Sequence, residues 1–124
     1  MNRERLTKMR DMLRNLTPEE RKDFDLETWR RSATCGFSAC ACGWFAIKHP
    51  EQGLYLKRTP HGAWQIAAGA LEGWKAVEEV FGLSERDAEI LFMAEEYDNT
   101  NDPDAVADRI DKLLSEQAAA GGAR

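Results

Sequence analysis

The sequence predicts a mainly α-helical single domain over residues 1–117, in which five or six helices surround a central helix at about residues 37–48. Apolar residues recur at spacings of three and four along most of the chain, as amphipathic helices require. Residues 35–47, in contrast, are small or apolar and nearly uncharged, so a helix formed there has no solvent-facing side and belongs at the centre. One short β-hairpin is predicted at about residues 54–66, and a flexible tail at residues 118–124.

The N-terminal part of the chain is predicted to hold two helices and a buried connection. A basic amphipathic helix covers residues 3–16, and its apolar stripe consists of Leu6, Met9, Leu13 and Leu16. Thr17 is positioned to cap a second, short helix together with Glu20, and Pro18 suits the first helical position. The residues expected to pack under the central helix are Phe24, Leu26 and Trp29.

The hairpin prediction depends on a turn signal between two apolar stretches. The turn residues are Thr59, Pro60, His61 and Gly62. Two strands alone are only marginally stable in water, so this hairpin needs helices packed against it.

Three further helices are predicted in the second half of the chain. The first covers residues 72–81, and its inward-facing residues are Trp74, Val77, Val80 and Phe81. Gly82 fits a left-handed helix end, and Ser84 with Asp87 is a capping pair for the next helix. Pro103 is expected to begin the last helix.

Charge is unevenly distributed along the chain, whose net charge is −5. Residues 1–31 carry nine basic and seven acidic side chains, whereas residues 72–111 carry thirteen acidic and three basic ones. The acidic region repels phosphate backbones and suits a basic protein partner better than nucleic acid. The helix that follows Gly82 is itself mostly acidic, which disfavours the interpretation of this region as a DNA-binding helix-turn-helix. Opposite charges at the two ends also favour self-association as a homodimer.

Two further features predict a cytoplasmic location without a membrane partner. No apolar run approaches the roughly 18–20 residues needed to span a bilayer. The N-terminus is charged and lacks the apolar core of a signal peptide.

The chain has three cysteines, an odd number that argues against a complete disulfide framework and favours free thiols in a reducing compartment.

The candidate soft metal ligands are Cys35, Cys40, Cys42 and His49. Their spacing differs from the close Cys-x-x-Cys pairs of zinc sites, and residues two apart on a helix point about 200° apart. Cys40 and Cys42 are therefore expected to be small core residues, and neither a metal nor a cofactor is predicted. Cys35 lies near the predicted start of the central helix, where the helix dipole favours a thiolate.

Three motifs give the chain a resemblance to a known family. They are Phe24-Asp25-Leu26-x-x-Trp29, Cys35-Gly36-x-x-Ala39-Cys40-x-x-Gly43-Trp44, and Phe81-Gly82-Leu83-Ser84 with Ala88, Leu91 and Phe92. Together they resemble an uncharacterised family of small helical proteins of bacteria and phages, over roughly residues 24–114. The chain departs from that pattern at Phe37, where threonine is usual, and at Cys42, where a small residue other than cysteine is usual. The resemblance implies a helical fold and carries no established activity.

The sequence contains no glycine-rich phosphate loop, nucleophile elbow or zinc-protease motif, and no catalytic residue is predicted. The predicted function is therefore a small non-enzymatic protein–protein interaction module, with homodimerisation as an option. One alternative is a thiol- or metal-dependent activity centred on Cys35 and Cys40. The other is a small-molecule pocket lined by tryptophans, namely Trp29, Trp44, Trp64 and Trp74.

Overall fold

The fold is mainly helical, as predicted, with a small three-stranded antiparallel sheet. The computed structural model describes residues 1–27, 31–33 and 36–122, with side chains for residues 1–27 and 39–117. The helices of this described part are α1 (Arg3–Arg14), α2 (Pro18–Lys22), α3 (Ala41–Lys48), α4 (Trp74–Phe81), α5 (Glu85–Phe92) and α6 (Pro103–Gly122). Its strands are β1 (Arg31–Ala33), β2 (Gly36–Ser38), β3 (Tyr55–Arg58), β4 (Trp64–Ala68) and β5 (Leu71–Glu72).

The strands form a hairpin of β1 with β2 and a separate sheet in the order β3-β4-β5, all antiparallel. The predicted hairpin is thus confirmed, with Tyr55 opposite Ala67 and Arg58 opposite Trp64. The third strand was not predicted. It forms because Gly69 adopts a φ of 58°, which reverses the chain so that Leu71 pairs with Ala68.

Helix α3 occupies the centre of the core, where residues 41–46 are buried. It contacts α1 on one side and strands β3 and β4 on another. Tilted aromatic contacts join α3 to α4 and α4 to α5. The ring centroids of Phe45 and Phe81 are 5.2 Å apart, and those of Phe81 and Phe92 are 5.6 Å apart. Phe24 and Leu26 are also buried, as predicted, and Trp29 lies outside the described residues.

The central helix begins four residues later than predicted, at Ala41 instead of residue 37. Residues 36–38 pair with β1 as a strand, and Phe37 lies opposite Ser32. Cys40 then has an extended backbone with a ψ of 179° and caps the helix, because its sulfur accepts the Gly43 N–H at 3.4 Å. The prediction was wrong because it treated all small residues before Trp44 as helical.

The local capping signals are confirmed. Thr17 and Glu20 form a reciprocal capping box at α2, and the Ser84 hydroxyl accepts the Asp87 N–H at 3.1 Å at α5. The helix predicted to start at residue 72 starts at Trp74, since Glu72 pairs with Ala67 in the sheet. At the C-terminus, α6 continues to Gly122, past the point where the tail was predicted to begin.

The first and last helices are joined by an ion-pair network. Asp111 of α6 accepts from Arg10 at 2.8 Å and from Arg14 at 2.5 Å, and Arg14 also reaches Asp108 at 3.0 Å. The Arg10 guanidinium, helped by Arg14, holds the pKa of the Asp111 carboxyl below its usual value. Basic residues of α1 are therefore neutralised within the chain by acidic residues of α6.

Replacing Asp111 by asparagine is expected to lower the free energy of unfolding by about 0.5–1 kcal/mol at neutral pH, as for a partly exposed ion-pair network. Because Asp111 has a lowered pKa in the folded state, its stabilisation is complete above the unfolded pKa of about 4 and is lost as the pH falls through the folded value. Urea unfolding should show the difference from wild type narrowing below about pH 4. Asp108→Asn, a control that removes one contact to Arg14, should cost less. A difference that stays constant down to low pH would contradict this account.

Gly82→Ala is expected to be more destabilising than Gly69→Ala. The two glycines have nearly equal φ values of 61° and 58°, so alanine meets the same left-handed strain of about 1–2 kcal/mol at either position. A Cβ on Gly82 would also lie 3.0 Å from the Asn2 nitrogen and 3.1 Å from the Met1 Cα, whereas a Cβ on Gly69 has no atom within 4 Å. Urea unfolding of both variants checks this, and equal losses would show that the contact with the N-terminus is unimportant.

Candidate aromatic cleft and thiol pair

A cleft of about 710 Å³ opens between the segment that follows α2, the sheet, and the turn that follows α5. Its floor includes three buried residues, Leu26, Cys40 and Phe92. Its walls include three half-buried aromatic rings, those of Trp64, Trp74 and Tyr97. Three exposed carboxylates, Glu27, Glu95 and Asp98, lie at its rim. Concave sites that combine aromatic side chains with a few placed polar groups are a common form of ligand site.

Backbone hydrogen bonds assemble the cleft from segments distant in sequence. Phe24 and Ala39 form a parallel bridge, in which Ala39 N–H donates to the Asp23 carbonyl and Asp25 N–H donates to the Ala39 carbonyl, each at 2.9 Å. Two more bonds of 2.9 Å attach the same segment to the loop before α6. The Leu26 backbone N–H donates to the Thr100 carbonyl, and the side-chain amide of Asn101 donates to the Phe24 carbonyl.

Two of the aromatic walls are held by arginines of the protein. The Arg58 guanidinium lies 4.7 Å from the ring centroid of Trp64, and that of Arg109 lies 3.8 Å from the centroid of Tyr97. The Tyr97 hydroxyl donates to the Leu91 carbonyl at 2.6 Å. Burial raises the pKa of Tyr97 well above its usual value, against the opposing effect of Arg109, so the hydroxyl remains a donor at neutral pH.

The electrostatic character of the cleft is acidic. Glu27, Glu95 and Asp98 belong to its lining, while the described lining residues include neither lysine nor arginine. A concave surface with one sign of charge and low-dielectric walls concentrates ions of the opposite sign. The cleft is therefore suited to a positively charged ligand group.

Cys40 and Cys42 form a buried thiol pair at the start of α3, and both are free of disulfide bonds. Cys40 is 3% exposed and Cys42 is fully buried. Burial opposes ionisation of Cys40, but the neighbouring Cys42 side chain and the Gly43 N–H, which lies 3.4 Å from the Cys40 sulfur, hold the pKa of Cys40 below its usual value. Burial and the same neighbouring sulfur raise the pKa of Cys42 well above its usual value.

The expectation that Cys40 and Cys42 point about 200° apart applied to two helical residues. Cys40 is instead the capping residue of α3, and its extended backbone lies outside the helical turn. The burial of both residues is confirmed. Cys35 lies outside the described residues, and the helix N-terminus that it was expected to occupy belongs to Cys40.

His49 is remote from the cysteine pair along α3. It ends that helix, its ring packs 5.3 Å from the ring of Phe45, and its Nδ1 lies 3.1 Å from Glu51. His61 is exposed in the hairpin turn. Within residues 1–27, 31–33 and 36–122, no group of three or more His, Cys, Asp or Glu side chains is arranged to hold a metal ion.

The structure places two of the four tryptophans of the predicted pocket in one cleft. Trp64 and Trp74 line the cleft together, although ten residues separate them in sequence. Trp44 is instead a core residue of α3, 4% exposed and absent from the cleft lining, because the cleft reaches α3 only at its first turn. Trp29 lies outside the described residues.

Sequence reasoning missed the contribution of the turn after α5. Glu95 lies in a single 3₁₀ turn (Ala94–Glu96), and Tyr97 directly follows it. The turn places both residues in the cleft lining, together with Asp98. The available signal was an aromatic residue next to a run of acids at the start of a polar loop. That pattern lacks the helical spacing of apolar residues, so hydrophobic periodicity does not identify it.

Comparisons of the chain with protein-family models, with curated proteins and with solved structures found no match. The resemblance to the uncharacterised helical family therefore stays a prediction. None of the described helices has both the length and the apolar character needed to cross a membrane.

Asn101→Ala is expected to lower the free energy of unfolding by about 1 kcal/mol, the usual contribution of one partly buried hydrogen bond. It should also shift the tryptophan fluorescence, because the lost bond attaches the cleft floor to the loop before α6. Asn15→Ala is the matched control, since the Asn15 amide bonds only within α1, at 2.7 Å to the Asp11 carbonyl. Fluorescence that changes equally in both variants would refute a specific role for Asn101 in the cleft.

Proposed function

We propose that the protein is a non-enzymatic interaction module that holds a cationic side chain of a partner protein in the aromatic cleft. The observation that carries this proposal is the composition of the cleft: three aromatic walls and three rim carboxylates, with no lysine or arginine among the described lining residues. Aromatic faces and carboxylates both attract ammonium and guanidinium groups.

The energetics favour a cation over a neutral apolar group. A cation over an aromatic face contributes about 0.5–1 kcal/mol at an exposed site and about 2 kcal/mol when it is desolvated. The Arg58 and Arg109 guanidinium groups already cover one face of Trp64 and of Tyr97, so a ligand cation must approach another part of these rings or the ring of Trp74. Because these contacts come from α6 and from β3, they also hold the rings in place before a ligand arrives.

The distribution of charge supports a basic partner at this particular surface. Asp108 and Asp111 are engaged with arginines of α1, and Asp104 lies 3.0 Å from Arg21. No ion pair of the described residues engages Glu27, Glu95 or Asp98 with a cation of the chain. These three carboxylates of the cleft are therefore available to a cationic group of a partner.

The same pairing weakens the electrostatic argument for a homodimer. That argument required the basic first helix of one copy to meet the acidic region of another. In the structure, Arg10 and Arg14 meet acidic residues of their own α6. Self-association stays a prediction that sizing at low and high salt would test.

Binding of a fluorescein-labelled peptide that contains several arginines and lysines, followed by anisotropy, tests the proposal. The double variant Glu95→Gln/Asp98→Asn is expected to bind about 3–10-fold more weakly, the loss that corresponds to two partly exposed ion pairs. The control Glu19→Gln/Glu79→Gln changes the net charge equally on α2 and α4, away from the cleft, and should bind like wild type.

The aromatic wall is tested separately with Tyr97→Leu and Tyr97→Phe. Phenylalanine keeps the ring and should retain most of the affinity, whereas leucine removes it. Equal binding of a peptide with glutamines in place of the basic residues would refute the proposal. Free arginine that binds as tightly as the peptide would replace the protein partner by a small-molecule ligand.

A further inference from the structure

A second, smaller cavity lies between α4 and α5, directly beside the aromatic cleft. We call it the α4–α5 groove. Its volume is about 210 Å³, and the apolar part of its lining consists of Trp74, Ala88 and Met93. Trp74 and Met93 also line the aromatic cleft. The two cavities are therefore adjacent, and the half-buried side chains of Trp74 and Met93 form the wall between them.

The turn between α4 and α5 explains why these two residues meet. Trp74 is the first residue of α4, and Met93 directly follows the last residue of α5. Gly82 ends α4 in the left-handed conformation with a φ of 61°, which lets the chain reverse so that α5 packs beside α4. A partner chain that crosses this wall can thus reach both cavities along one continuous surface.

The charged groups of the α4–α5 groove resemble those of the cleft. They are three carboxylates, Glu78, Glu85 and Glu89, and one ammonium group, that of Lys75. Glu89 lies 3.5 Å from Arg86. No ion pair of the described residues engages Glu78 or Glu85. The groove therefore combines an aromatic ring with two available carboxylates, and it suits a cationic group as the cleft does.

The size of the groove indicates what kind of ligand enters it. Pockets that bury a whole small molecule have volumes of about 300–1,000 Å³, and the groove is smaller than that. It is suited to one side chain of a larger partner. We propose that the partner presents two basic side chains on one segment, one in the aromatic cleft and the other in the α4–α5 groove, with the segment crossing Trp74 and Met93. This inference rests on the function proposed above for the cleft.

Two linked contacts explain how weak individual contacts give useful affinity. A single partly exposed ion pair contributes little to binding. When one segment supplies both basic side chains, the second contact forms within a complex that already exists, so its effective concentration is high. The flexible thioether of Met93 gives the wall an apolar surface that adapts to the crossing segment.

Anisotropy with a matched pair of fluorescein-labelled peptides tests the second contact. One peptide has a single arginine among serines. The other series has two arginines about two to four residues apart, which spans about 7–13 Å in an extended chain. The best two-arginine peptide is expected to bind wild type about 3–10-fold more tightly than the one-arginine peptide.

The variant Glu78→Gln/Glu85→Gln should abolish this gain and leave the affinity for the one-arginine peptide unchanged. Glu19→Gln/Glu79→Gln is the matched control, because it changes the net charge equally and Glu79, although next to Glu78 in α4, does not line the groove. An equal loss in the control would reduce the effect to net charge and overturn the proposal. Circular dichroism establishes that both double variants fold, and the single variants Glu78→Gln and Glu85→Gln repeat the measurement if one does not.

The lysine of the groove provides a test in the opposite direction. Lys75→Gln removes the like charge and should tighten binding of the two-arginine peptide about 2–3-fold, without effect on the one-arginine peptide. Lys112→Gln is its control, since Lys112 is an exposed lysine of α6 that lines neither cavity. An equal gain in both variants would contradict a specific contact in the groove.

The outcomes separate this inference from the function of the cleft. One-arginine binding that is insensitive to Glu95→Gln/Asp98→Asn would refute the cleft proposal itself. Two-arginine binding that is insensitive to Glu78→Gln/Glu85→Gln, or that shows no gain at any spacing, would overturn the second contact and leave the cleft proposal intact. Spermidine that competes as well as the two-arginine peptide would also overturn the inference, since a small polyamine would then replace the protein segment.

Discussion

The parallel bridge between Phe24 and Ala39 is the interaction on which the candidate site depends. It brings the chain that follows α2 against the chain that precedes α3, through paired bonds of 2.9 Å on either side of Ala39. The same segment is then attached to the loop before α6 through Leu26 and Thr100. Without this bridge, the floor and the acidic rim of the cleft would not lie on the same side of the core.

The bridge explains why the segment before Trp44 is made of small residues. Ala39 is fully buried in the core, where a longer side chain would need space that its neighbours already fill. Cys40 must leave the extended backbone and begin a helix within one residue, and its sulfur supplies the capping acceptor that serine or aspartate provides at other helices. The cysteine sulfur is a weak hydrogen-bond acceptor, and the side chain packs like a small apolar residue. Cysteine can therefore both cap the helix and remain buried at a helix end inside the core.

Much of the fold could be predicted from local signals. Thr17 with Glu20, Gly82, and Ser84 with Asp87 each act through neighbouring backbone groups, so their effect can be read from a few residues. The start of α3 could not be predicted in this way, since residues 36–38 are extended by pairing with β1 and not by their own propensity. The cleft was predicted only as a set of tryptophans, because its assembly depends on contacts between segments more than fifty residues apart in sequence.

Charge composition alone does not show which acidic residues pair within the chain. Counted along the sequence, residues 72–111 form one acidic block opposite a basic N-terminal helix. In the structure the acidic residues of this block have different surroundings. Asp108 and Asp111 join α1 to α6, whereas Glu95 and Asp98 stand at the cleft. The net charge of a segment therefore gives the sign of its electrostatic potential but does not identify which carboxylates can bind a partner. Carboxylates on a face of α6 and carboxylates in the loop before α6 contact different neighbours. A basic partner is favoured where carboxylates form no ion pair within the chain. In the described structure, the carboxylates that line the cleft meet this condition.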